Sequence, residues 1–221
     1  MSVGDLEVST IVSDAPWHQN CYVVLDRPSG AFIVVDPGFD SPELRGAVRE
    51  AGARPAHILI THGHPDHLGA AAALSEWLDV ECRLGRADAR IARHASAYAV
   101  AFGGLRIRTP TRIRYLDAEE NIRFGGTSVK IMALPGHTPG GLGFDIGEIV
   151  LTGDTLFREQ VGRTDFPASD PIAIDASIDQ LLAGRETGVW LMAGHGRPWT
   201  AGEARDWWTT KGRQREAPVA T

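Results

Sequence analysis

THGHPDHLG, residues 61–69, gathers three histidines and an aspartate within six positions, in a chain of 221 residues that holds 8 histidines in all. The stretch follows HILI at 57–60, an aliphatic run that reads as a buried strand. His62 and His64 are two apart, so extended backbone puts both side chains on one face. Gly63 between them lets the chain pass close beneath. Pro65 suits the first position of a helix and leaves Asp66 and His67 in a first turn, where unpaired N–H groups favour a carboxylate. Adjacent helical residues point about 100° apart, so these two extend the cluster in new directions.

Working outward, three more strand-like runs end in a similar residue. SVKIMAL at 128–134 leads to His137, EIVLTG at 148–153 to Asp154, and VWLMAG at 189–194 to His195. Strand ends of one sandwich meet along an edge, and protein sites are commonly built on loops there. The seven candidates, His62, His64, Asp66, His67, His137, Asp154 and His195, exceed what one four-coordinate ion uses. Two ions sharing a carboxylate use them all. Five imidazoles and two carboxylates without a thiolate suit zinc, iron or manganese and argue against a closed structural cysteine site. Paired ions roughly 3.5–4 Å apart lower the pKa of a water between them toward ~7, which provides a hydroxide nucleophile at neutral pH.

The rest of the chain sets the fold class. LEVSTIV at 6–12, CYVVLD at 21–26 and AFIVVD at 31–36 read as strands, with a hairpin turn at DRPSG, 26–30. Helical signals lie at Ser41 as N-cap, in LGAAAALSEWL, in RADARIARHA at 86–95, and from Asp170 to Gly184. This order is neither all-β nor a regular βαβ alternation, and predicts an α/β protein of the α+β kind, two mixed sheets with helices outside. A single domain is expected over residues 1–210 and a flexible polar tail over 211–221. LRIRTPTRIRY at 105–115 reads as a hairpin with one cationic face, either solvated or docking an anionic substrate. SAYAVAFGG at 96–104 is either a flap or a buried connector, and Trp207 and Trp208 either cap the core or form a subunit contact.

Composition excludes several functions. A formal charge of -6 argues against an extended phosphate-binding face, so no nucleic-acid partner is expected. With no apolar run of spanning length and no basic, apolar leader at the start, the chain reads as cytoplasmic with no membrane partner. Cys21 and Cys82 form neither a disulfide framework nor a zinc knuckle and read as small packed hydrophobes. His18, His57 and His94 lie outside the pattern and read as packed or surface residues.

The four motifs together resemble the metallo-β-lactamase superfamily: HxHxDH at His62, His64, Asp66 and His67, PGHTPGG at His137, TGDTLF at Asp154 and AGHG at His195. The resemblance covers roughly residues 7–200 and implies a metallo-β-lactamase-type αββα sandwich. It also implies that His62, His64 and His137 hold one ion and Asp66, His67 and His195 the other, with Asp154 bridging. NCYVV, GHTPGG and GDTLFREQVGRTDFP look most like the compact glyoxalase II-like, or hydroxyacylglutathione hydrolase-like, branch, which hydrolyses thioesters such as S-lactoylglutathione. GRTDF is also similar to the persulfide dioxygenases, which use one iron on ligands corresponding to His62, His137 and Asp154; a lactonase or other ester hydrolase is a further alternative. Thr155, Leu156 and Phe157 tip the reading toward the hydrolase. Asp154 stands where many true β-lactamases carry a cysteine.

The resemblance therefore implies a cofactor of two divalent ions, zinc first with iron or manganese as alternatives, a small-molecule thioester as substrate, and Asp154 and Asp66 as candidate catalytic residues. Arg163 in GRTDF is placed near the metals by the same resemblance, where it either pairs with a substrate carboxylate or forms an ion pair with Asp165. Full-length glyoxalase II carries a helical C-terminal domain that helps hold glutathione; 26 residues follow His195 here, which leaves the thiol carrier open. Monomer and homodimer are both compatible with the sequence.

Overall fold

Strand residues alternate between two destinations. In β4 (Ala31–Val35), Phe32 and Val34 pack with Leu44 and Val48, whereas Ile33 and Val35 pack with Phe124 and Phe144. Successive side chains leave opposite faces of a strand, so a run that is apolar throughout needs cover on both sides. The computed structural model, which describes residues 1–117 and 120–214, supplies that cover as four layers.

The first sheet runs β1 (Ser2–Val3), β2 (Leu6–Val12), β3 (Asn20–Asp26), β4, β5 (Arg54–Ile60), β6 (Cys82–Gly85) and β7 (Ile113–Leu116), in chain order. Its first four strands pair antiparallel and the rest parallel. The second sheet contains β8 (Asn121–Phe124), β9 (Thr127–Ala133), β10 (Leu142–Asp145), β11 (Ile149–Gly153), β14 (Trp190–Ala193) and β15 (Trp199–Thr200). β11 and β14 are its parallel pair. A short ribbon of β12 (Leu156–Phe157) and β13 (Gln160–Val161) projects beyond β11. The inner faces meet in a core of Val24, Ile33, Leu59, Ile131, Phe144 and Leu151. Helices α1 (Pro42–Ala51), α3 (Ala71–Leu78) and α4 (Ala89–Gly103) cover the outside of the first sheet, and α5 (Pro171–Leu182) and α6 (Ala201–Thr210) the outside of the second. The expected architecture of two mixed sheets with external helices is the one observed.

Local signals act where expected at several ends. The Ser41 hydroxyl accepts from Leu44 N at 3.1 Å, and Asp170 accepts from Ile172 and Ala173 N at 2.8 and 3.0 Å. Three expectations need correction. LGAAAALSEWL is not one helix: a short α2 (Pro65–Leu68) precedes α3, because Ala70 N donates to Pro37 O and Gly38 O instead of continuing the turn. SAYAVAFGG continues α4, whose Ala92, Ala95 and Ala99 repeat at helical spacing and bury one stripe. Residues 105–115 form no hairpin, since only β7 is extended and it pairs parallel with β6. Arg108 and Arg112 turn to Glu76 and Asp79 at 2.7 Å each rather than forming one cationic face.

Cys21 and Cys82 are buried and free, and Trp208 is buried in the core cluster of the second sheet. Of the tail, Gly212–Gln214 form a 3₁₀ turn in which Arg213 pairs with Asp179. Residues 215–221, where the flexible tail is expected, lie outside the described residues. Among the described residues no helix is long and apolar enough to cross a membrane.

Asp26 ties the two sheets together far from the site. Its carboxylate accepts from Ser29 Oγ, Gly126 N at 3.0 Å and Thr127 Oγ1 at 3.1 Å. These donors, Ser29 foremost, hold its pKa below the ordinary carboxylate value against the opposing effect of burial. A depressed folded-state pKa adds stability above the unfolded value near ~3.9, lost as pH falls through the folded value. Asp26→Asn should cost about 1–3 kcal/mol at pH 7, a Tm lower by roughly 2–12 °C. The gap between wild type and variant should narrow below pH ~4, and a gap that is constant from pH 7 to pH 3 contradicts this assignment.

Candidate metal centre

The site lies on one edge of the sandwich, where the two sheets bond to each other directly. Leu142 N donates to Thr61 O at 2.8 Å and Asn20 N to Gly194 O at 2.7 Å, and Gln19 and His195 form an isolated bridge. These bonds bring the end of β5 against the loops that follow β9, β11 and β14. All seven candidate ligands meet there, in three overlapping groups: His62, His64 and His137; His62, His67 and Asp154; and Asp66, His67 and His195.

Hydrogen-bond partners fix which histidine nitrogens carry lone pairs. The Thr61 hydroxyl spends its proton on Asp36 Oδ2 at 2.6 Å, so its oxygen accepts from His62 Nδ1 at 3.1 Å and His62 Nε2 is bare. His137 Nδ1 faces the Arg163 carbonyl at 2.8 Å and must donate, which leaves its Nε2 bare too. His64, the N-cap of α2, makes no side-chain cap bond, and its ring turns inward. Its Nδ1 lies 3.1 Å from His62 Nε2 and 2.9 Å from His137 Nε2. A single proton there serves one of the two neighbours, whereas a cation serves all three. Burial pushes the His62 pKa well below its usual value and that of His64 down to about 3, with neighbouring histidines adding to both.

The other half of the site is rich in carboxylate. His67 Nε2 lies 3.3 Å from Asp154 Oδ1 and 3.7 Å from Asp66 Oδ2, and His195 Nε2 lies 3.3 Å from Asp66 Oδ2 and 3.5 Å from Asp154 Oδ2. Burial opposes charge on both rings, yet the carboxylates win. Asp154, Asp36 and Asp66 raise the His67 pKa well above normal, and Asp154 and Asp66 raise that of His195 to about 10. Burial likewise opposes ionisation of Asp154, but His67 and His195 hold it well below the carboxylate range. Buried carboxylates need a compensating positive charge, which a proton or a metal ion can supply. The residues fit metal ions: His67 Nε2 and Asp154 Oδ1, 3.3 Å apart, are buried and make no hydrogen bond among the described residues, and the bare Nε2 atoms of His62 and His137 converge with His64 Nδ1 beside them.

Several supporting residues escaped the sequence reading. Asp36, buried at the end of β4 with φ 51°, accepts from Thr61 N at 2.6 Å and His67 Nδ1 at 2.8 Å. The only trace of it in the sequence is a carboxylate closing an apolar strand before Pro-Gly. Asp88 accepts from Gly63 N at 2.7 Å and Gly140 N at 2.6 Å. The Asn20 amide reaches Ala193 O at 3.0 Å and Gly196 O at 2.8 Å, and Tyr22 Oη reaches Ala193 O at 2.6 Å. Together these three bonds fix the backbone on both sides of His195. Gly194 leaves the space that Asp154 and His67 fill, since a Cβ there would strike Asp154 Oδ1.

Arg163 supplies its carbonyl to His137, while its guanidinium pairs with Asp165 at 2.9 and 2.6 Å and lies over Phe166. Phe166 sits 5.1 Å from the His64 ring and Phe157 5.7 Å from the His195 ring. Among the described residues, His57 and His94 bond to backbone carbonyls, of Arg123 and Arg90.

A family model of the metallo-β-lactamase superfamily matches residues 14–195, and the chain belongs to that superfamily. Among its relatives, hydroxyacylglutathione hydrolase GloC of Haemophilus influenzae is 33% identical over 199 residues, covering 88% of this chain and 93% of GloC. The crystal structure of TTHA1623 in a di-iron-bound form is 36% identical with a TM-score of 0.76, covering 90% of this chain and 97% of that one. ETHE1 from Myxococcus xanthus shares the fold alone, at 19% identity and a TM-score of 0.70 over 97% of this chain and 84% of its own.

Removing Asp36 isolates three buried donors, Thr61 N, Thr61 Oγ1 and His67 Nδ1. Asp36→Ala should destabilise the protein by about 1–3 kcal/mol for each donor left without an acceptor. The measurement is urea denaturation, and matching midpoints for wild type and variant contradict the role given to Asp36.

Proposed function

We propose that this chain is a binuclear metal-dependent hydrolase that cleaves a small-molecule thioester such as S-lactoylglutathione. The observation that carries the reading is the double convergence: three imidazole nitrogens, of His62, His64 and His137, on one side, and the buried His67 Nε2 and Asp154 Oδ1, without a hydrogen bond among the described residues, on the other. His62, His64 and His137 would hold one ion and Asp66, His67 and His195 the second. Asp154 would join them, since its oxygens lie 3.3 Å from His67 Nε2 and 3.6 Å from His137 Nε2. The donor set suits zinc first and accommodates iron or manganese; the similarity to TTHA1623, with its di-iron form, supports iron as a real alternative. When bound, two such ions supply Lewis acidity toward a carbonyl and a hydroxide nucleophile at neutral pH.

The residues of the chain do the rest. Asp154 stays ionised against burial, and its Oδ2 can take the proton lost from the attacking oxygen as the carboxylate product forms and pass it to the departing thiolate, while Asp66 Oδ2 holds His195 in place. Phe157 and Phe166 flank the two ends of the histidine row and keep water from its edges. Arg163 would bind a substrate carboxylate by exchanging Asp165 for it. Similarity to GloC supports a glutathione thioester as the substrate class. A persulfide dioxygenase with one iron on His62, His137 and Asp154 would leave Asp66, His67 and His195 converging without purpose, so the geometry favours two ions. We further place the protein in the cytoplasm, where its free buried cysteines remain reduced.

Metal analysis of protein purified without added salts should return about two ions per chain, together with oxygen-independent cleavage of S-lactoylglutathione in a panel of thioesters, esters and lactones. His62→Ala and Asp154→Ala should abolish turnover while far-UV circular dichroism persists. Chelation should lower Tm, because ligand at 100 times its Kd adds about 2.7 kcal/mol of stability. One iron per chain with oxygen uptake on a persulfide overturns the proposal.

A further inference from the structure

Asp88 is a fully buried carboxylate at the end of a 3₁₀ turn, Arg86–Asp88, that leads into α4. Both oxygens are spent on backbone N–H groups of two different loops. Oδ2 accepts from Gly63, between His62 and His64, and Oδ1 from Gly140, three residues beyond His137. The seating is tight on each side. A Cβ on Gly63 would meet Ala92 N and Asp88 O, and one on Gly140 would meet Asp88 N and its carboxylate. Both glycines are therefore required by close approach to this one turn.

The other half of the site has different supports. Asp36 holds His67 as well as reaching His62 through Thr61, and Asn20 and Tyr22 hold the backbone around His195, whereas neither oxygen of Asp88 bonds to that half. From this separation we infer that Asp88 is a positioning residue for the three-histidine half alone: it sets the spacing of His62 and His64 from His137 and thereby the affinity of that half for its ion. The inference rests on the two-ion reading. Binding at the Asp66, His67 and His195 half does not depend on Asp88, so the two positions can be loosened separately.

The test compares wild type, Asp88→Asn and Asp36→Asn, each stripped of metal and titrated with zinc against a chromophoric chelator. Asn keeps the size of Asp88 but turns an N–H₂ toward one of the two glycine donors. Wild type should bind two ions, and Asp88→Asn should weaken one of them by about 10–100-fold, as expected when the partner of a ligand-bearing element is lost. Cobalt(II) replacement then assigns the position. Shifted N–H resonances from His62 Nδ1 and His137 Nδ1 should weaken in Asp88→Asn while that of His67 Nδ1 remains; in Asp36→Asn that of His67 Nδ1 should weaken while that of His137 Nδ1 remains, His62 being reached by Asp36 through Thr61.

Two ions bound by Asp88→Asn at wild-type affinity overturn the inference and leave the two-ion reading standing. Equal weakening at both positions overturns it as well, since it reports a general structural role. A wild type that binds one ion brings down both. If Asp88→Asn does not fold, Gly140→Ala displaces the same carboxylate from the opposite side and is read by the same criteria.

Discussion

Lone pairs and negative charges do not gather in a protein interior unless something holds them together. Five imidazoles and two carboxylates meet here at the edge of a sandwich, most of them buried. Their mutual repulsion is contained by bonds from the residues around them. Thr61 O and Gly194 O each take a backbone donor from the opposite sheet, and Asn20, Tyr22, Asp36 and Asp88 anchor the loops in between. The two sheets are thus bonded directly to each other at the edge where the candidate ligands meet.

The two halves of the site differ in electrostatic character. Burial favours neutral rings at His62 and His64, whereas Asp66 and Asp154 give the His67 and His195 half a strong negative field. Asp154 belongs to both halves. It carries negative charge to the neutral side and, by its position after Gly153, which has φ 51°, lies where β11 ends between them. A cation on either side would meet a different balance of attraction and desolvation.

Much of this was legible in the sequence because the signals were local. HILI and AFIVV read as buried strands, the spacing of His62 and His64 put them on one face, and Pro65 opened a helix where expected. What stayed hidden depended on partners distant in sequence. Asp36 looks like any acid before a turn, and only the fold shows that Thr61 and His67 need it. Asp88 lies in a helical stretch with no motif of its own, yet joins loops 77 residues apart in sequence, at Gly63 and Gly140. The misread hairpin at 105–115 has the same origin. Alternating arginines describe an exposed face, but the ion pairs that claimed Arg108 and Arg112 came from α3 and the residue that follows it.

The orientation of His137 comes from a main-chain oxygen, that of Arg163, rather than from a side chain. Every amino acid has that oxygen, so residue 163 can change its identity without turning the imbalance of the ring loose, provided the local backbone path survives. The same segment carries Phe157 and Phe166 at the two ends of the histidine row. This region can therefore change the side chains it presents beside the site while the row of histidines keeps its geometry.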